Sequence, residues 1–104
     1  MPGFNEVWQY LQTHLQPGAV IPNWTALKGY LGDKMTVVHV TDNVISIKTP
    51  RAKNPVNVPR GDFERVWEIW HAYKSHRLRR YELTEVTFFS KYIISLFRWY
   101  ETER

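Results

Sequence analysis

DFERVWEIWHAYKSHRLRRYELTEVTFFSKYIISLFRWYETER, residues 62–104, carries the clearest helical periodicity in the chain, most of its aromatic side chains and one of its two acid-free basic segments. It reads as three helices. Asp62 can accept a hydrogen bond from an unpaired first-turn amide, and Glu64 puts negative charge near the positive end of the helix dipole, so the first helix is expected to open there. Phe63, Val66, Trp67, Trp70 and Tyr73 recur at helical spacing on one side, while Glu64, Arg65, Glu68, His71 and Ala72 fall on or near the other. A short second helix around residues 79–85 carries Leu83 and Val86 inward at a tight corner. Thr87 or Ser90 can cap the last helix. There Phe89, Ile93, Leu96, Phe97 and Tyr100 share one face, and Lys91, Ser95, Arg98 and Thr102 share a narrow cationic face opposite.

Upstream of this stretch the signals are shorter. Asn5 can cap a helix over residues 6–16, because Val7, Trp8, Leu11 and Leu15 line one side and Pro17-Gly18 ends the pattern. Between residues 19 and 33 the signals conflict. Val20-Ile21 reads as extended before Pro22, whereas Trp24, Leu27, Tyr30 and Leu31 fit either a short helix or an irregular strand. The β-branched runs 35–40 and 44–47 are joined by Thr41-Asp42-Asn43, residues that bond their own backbone in turns, so they form a β-hairpin. Strict alternation puts Val37, His39 and Thr41 on one side of it and Thr36, Val38 and Val40 on the other. Pro50, Pro55 and Pro59 make residues 48–59 mostly loop, with Val56-Asn57-Val58 available as a short third strand before Gly61-Asp62 turns into the helix. The expected fold class is α+β: an N-terminal helix, a small antiparallel hairpin or three-stranded sheet, and a C-terminal three-helix, helix-turn-helix-like subdomain.

Composition narrows the function classes. A chain of 104 residues suits one domain with one core, its first 60 residues supplying a helix and a small sheet and residues 61–104 a trihelical unit on the same core. With 43% apolar and 15% aromatic residues it is too rich in large side chains for a disordered chain. The absence of cysteine excludes disulfides and thiolate metal sites, and a cytoplasmic location is the expectation. No stretch reaches the roughly 18 apolar residues of a membrane span, so no membrane partner is expected. A net charge of +4 favours an anionic partner, and its distribution matters more than its size. Two segments hold cations without acids: residues 48–60, with Lys48, Arg51, Lys53 and Arg60, and residues 71–81, with Lys74, Arg77, Arg79 and Arg80.

Catalytic patterns are absent. Gly3, Gly18, Gly29, Gly32 and Gly61 are scattered rather than grouped into a phosphate-cradling loop, and no two histidines have the i, i+4 spacing that brings two imidazoles to one metal. Glu64, Glu68 and His71 share a helical side at the step used by carboxylate-bridged metal helices, but such sites need a second matching helix, and a solvated face explains the row. Glu82 and Glu85 are explained as neighbours of Arg79 and Arg80. The chain is expected to bind rather than to catalyse, with no cofactor and no metal.

Two partner classes fit. Three helices with a tight turn between the last two resemble the general helix-turn-helix plan, in which the final helix meets the bases of nucleic acid and flanking cations hold phosphates. On that plan Lys74, Arg77, Arg79 and Arg80 face the backbone, and Lys91, Ser95 and Arg98 face bases or further phosphates. Phe88, Tyr92 and Trp99 border the same helix and support the alternative, a protein–protein or self-association surface.

Overall fold

A computed structural model of the protein describes residues 2–104. Helix α1 (Phe4–His14) leads into four strands, β1 (Val20–Thr25), β2 (Gly29–Val40), β3 (Val44–Lys48) and β4 (Val56–Pro59), and the chain ends in helices α2 (Arg60–Lys74), α3 (Arg80–Leu83) and α4 (Ser90–Glu103). All three strand pairs are antiparallel, in the order β1-β2-β3-β4. The fold is α+β, with a sheet larger than the two or three strands expected. The additional strand comes from residues 20–25, which pair with β2 between Gly29 and Thr36. Alternation fails there because the pairing skips: Pro22 faces Lys34, but Trp24 already faces Tyr30. Asn23 and Trp24 are therefore both buried, and the Asn23 amide donates to both carboxylate oxygens of Asp33 at 3.0 and 3.2 Å. Pro22, which cannot donate to a ladder, sits in an edge strand, where that costs least.

A second irregularity corrects the face assignment of the central hairpin. Val37 pairs with Ile47 and His39 with Ser46, so Val38 is left over as a bulge. The extra residue shifts the alternation by one. Val37 is buried and Val40 packs against the core, while Thr36, Val38 and His39 are exposed.

The inner face of the sheet presents Ile21, Met35, Val37, Ile45, Ile47 and Val58 to the helices, and all are at most 1% exposed. Val7, Trp8 and Leu11 of α1, the expected stripe Phe63, Val66, Trp67, Trp70 and Tyr73 of α2, and Ile93, Ile94, Leu96, Phe97 and Tyr100 of α4 complete one cluster. Phe97 is its hub. Its ring lies 5.9 Å from Phe63, 5.0 Å from Trp67 and 5.5 Å from Trp70, each in an edge-to-face arrangement. Such pairs add about 0.5–1.5 kcal/mol each beyond the area they bury. Burial also raises the pKa of the Tyr100 phenol, with the Arg104 charge acting the other way. Among the described residues no helix is long and apolar enough to cross a membrane.

The helix starts differ from expectation by one or two residues, and the expected caps do other work. α2 begins at Arg60, straight out of β4, with Pro59 in the N-cap position. Asp62 accepts from Arg65 at 2.7 Å and from the Thr87 hydroxyl at 2.6 Å, which ties α2 to the turn before α4. Thr87 in turn accepts from the Phe89 amide at 3.0 Å, inside that turn. Asn5 lies inside α1 and accepts from the Arg60 guanidinium at 2.8 Å.

If Phe97 is the hub, Phe97→Ala is expected to lower stability by about 3–5 kcal/mol, read from urea titrations of the parent and the variant. A loss below about 1 kcal/mol would contradict the packing described.

Candidate functional site

Two chain reversals meet beside the end of α2. The first joins β1 to β2. Thr25 pairs with Gly29, the Thr25 hydroxyl accepts from the Lys28 amide at 3.1 Å, and Gly29 takes a left-handed φ of 71° that closes the turn. Leu27 and Lys28 are exposed at its tip, while Ala26 packs against the core. The Ala26 amide donates to the Tyr73 hydroxyl at 3.0 Å, which pins the turn to α2.

The second reversal ends α2. The His76 amide donates to the Tyr73 carbonyl at 3.1 Å and the Arg77 amide to the Ala72 carbonyl at 2.9 Å. These are the two hydrogen bonds of a Schellman cap, with His76 in the left-handed position that glycine usually fills. Its φ of 62° makes His76 the one residue other than glycine with positive φ among those described. The chain then turns back along α2, and Glu82 accepts from the Arg79 amide at 2.7 Å as α3 begins.

Between the reversals lies a groove of about 630 Å³. Leu27, Lys28 and Leu31 line one wall, and His76, Leu78, Arg79, Arg80 and Tyr81 line the other, with Ala26 and Tyr73 also contributing. Four basic side chains face this space and no carboxylate lines it. Two of its large side chains are open to solvent: Leu27 is 82% exposed and Tyr81 64%. Apolar contact area and concentrated positive charge therefore occupy one concave surface.

The structure divides the expected phosphate contacts. Arg79 and Arg80 reach the groove, Arg80 while donating to the Ser90 hydroxyl at 3.3 Å, and Arg77 is exposed on the same loop. Lys74 is engaged elsewhere: its ammonium lies 2.6 Å from Glu101 and 5.6 Å from the Trp70 ring centroid. In the other basic segment Arg51 and Lys53 are exposed on the β3–β4 loop, whereas Arg60 lies over the Phe4 and Trp8 rings.

The polar face of α4 is not open. Residues 93–97 are all at most 1% exposed, and five consecutive residues cover more than one full turn at about 3.6 per turn, so mid-helix is enclosed on every side. Ser95, expected to meet a ligand, accepts from the Trp24 amide at 3.0 Å and donates to Asn23 at 3.4 Å. Arg98 lies 5.1 Å over the Trp24 ring, and its buried Nε makes no hydrogen bond among the described residues. Lys91 is half-buried. Ser95 is therefore taken up inside the fold. Of the expected interface residues, Phe88 is 96% exposed in the turn before α4, while Tyr92 and Trp99 are half-buried against the core.

Lys28, Leu27 and His76 were not singled out by sequence. One signal was present: leucine beside Lys28-Gly29 in a turn, where a polar residue is the rule. No group of three or more metal-ligating side chains occurs among the described residues, and Glu64, Glu68 and His71 are exposed. Compared with protein-family models, curated proteins and solved structures, the chain matches none.

Because Ser95 holds the Trp24 amide, Ser95→Ala is expected to cost about 1–3 kcal/mol through an unsatisfied buried donor. A variant as stable as the parent in thermal and urea unfolding would show that this hydroxyl is dispensable.

Proposed function

We propose that the chain is a non-catalytic binding module for nucleic acid, and that its contact surface is the groove between the β1–β2 turn and the loop after α2 rather than the face of α4. One observation carries the reading. Lys28 comes from one segment and His76, Arg79 and Arg80 from another, and the fold gathers them around one space without an acid. The charges of Lys28, Arg79 and Arg80 repel one another when brought together, and a polyanion offsets that repulsion. Arg77, exposed on the same loop, extends the positive surface. A cytoplasmic location is consistent with this role.

A second reading rests on Phe88. A phenylalanine left 96% exposed has no structural purpose in the monomer, and a protein partner or a second copy of the chain would cover it, with Tyr92 and Trp99 as further contacts. The groove reading is preferred because three cations, Lys28, Arg79 and Arg80, need an anion, whereas one exposed ring needs only a small contact.

The test is Arg79→Ala combined with Arg80→Ala, titrated against labelled DNA over a salt series. Each phosphate contact contributes about 0.7 to 0.9 to the slope of log affinity against log salt, so losing two lowers that slope by about 1.4 to 1.8. A folded double variant with unchanged affinity and slope would remove these residues from the contact surface. Sizing of the parent by light scattering in the same buffers separates the second reading: a dimer that persists at high salt without DNA points to Phe88.

A further inference from the structure

We infer that the groove accepts a single strand rather than a duplex, with one base laid against Tyr81 and the adjoining phosphates held by Lys28, Arg79 and Arg80. This rests on the nucleic-acid reading above and makes it specific. A duplex is read by elements that protrude into its grooves, and it hides the faces of its bases. Here the cations line a concavity, and beside them stand a tyrosine 64% exposed and a leucine 82% exposed. Those apolar surfaces would meet nothing on a duplex. A single strand offers a flat π-face at every nucleotide, and aromatic side chains in a positive groove are the usual means of holding it.

Charge argues in the same direction. Three cations around about 630 Å³ match a ligand with several negative charges, and a strand carries a phosphate on each side of every base. An acidic peptide supplies carboxylates only where its sequence happens to place them around an apolar anchor.

The experiment is fluorescence anisotropy at low salt with three labelled probes: a ten-nucleotide mixed single strand, the duplex of the same length, and an acidic peptide with leucine anchors. The single strand is expected to bind at least about tenfold more tightly than the duplex. Tyr81→Ala is expected to weaken single-strand binding about 5- to 150-fold, the effect of removing one stacked base contact, and Tyr81→Phe to retain most of the affinity. Leu27→Asp, at an exposed turn position where the fold tolerates change, is expected to weaken it by placing a carboxylate among the cations. Equal or tighter duplex binding with Tyr81→Ala neutral overturns the single-strand assignment and leaves the nucleic-acid reading standing. Binding of the peptide alone overturns both, in favour of an acidic protein partner, and binding of no probe overturns both outright.

Discussion

The hydrogen bond from the Trp24 amide to the Ser95 hydroxyl joins the last helix to the first strand, two elements 71 residues apart in the chain. A four-stranded sheet has two free edges, and the β1 edge would otherwise show an unpaired donor next to the core. α4 lies against that edge and supplies an acceptor from its own side chain. Trp24 then packs its indole 5.9 Å from Trp70 and 6.4 Å from Tyr73. Tyr73 passes the restraint on by accepting from Ala26. The position of the β1–β2 turn, and with it one wall of the groove, follows from this sequence of contacts.

The same arrangement explains which cationic residues are available. α4 is enclosed because it covers both the sheet edge and the faces of Phe63, Trp67 and Trp70. Arg98 lies over Trp24, Lys74 is paired with Glu101, and Arg60 is held between Asn5 and two aromatic rings. These cations stabilise the fold. Those left at the groove belong to two reversals that are well determined by backbone hydrogen bonds yet contribute little to the core. Positioning charged side chains on such loops keeps them accessible without leaving them to wander.

Much of the architecture was legible in the sequence because its periods are clean. The apolar stripes of α1, α2 and α4 and the paired runs 35–40 and 44–47 stand where spacing puts them. The first strand was only half legible: Val20-Ile21 reads as extended, but Asn23 and Trp24 are buried side by side, which blurs the period-two signal and leaves helix and irregular strand undecided. His39 was assigned to the wrong face for a related reason, the bulge at Val38. In the row Lys91, Ser95, Arg98 and Thr102, Ser95 and Arg98 meet the β1 edge, while Thr102 is exposed. A polar stripe on a helix is ordinarily solvated, but a sheet edge also needs polar partners, and spacing does not distinguish the two environments. Arg79 and Arg80 were identified from the acid-free run and do reach the groove. Lys28 was not, since its partners lie some 50 residues away and only the pinned turn brings them together.

The central claim is that ligand meets the protein in the groove and not on α4 or the outer face of the sheet. Amide chemical-shift mapping of the labelled protein, titrated with a short single-stranded oligonucleotide, tests it most directly. The account predicts the largest shifts at residues 26–31 and 76–81, with α4 changing little. Shifts concentrated on residues 36–39, 46–48 and 57, or on the half-buried residues of α4, would contradict it.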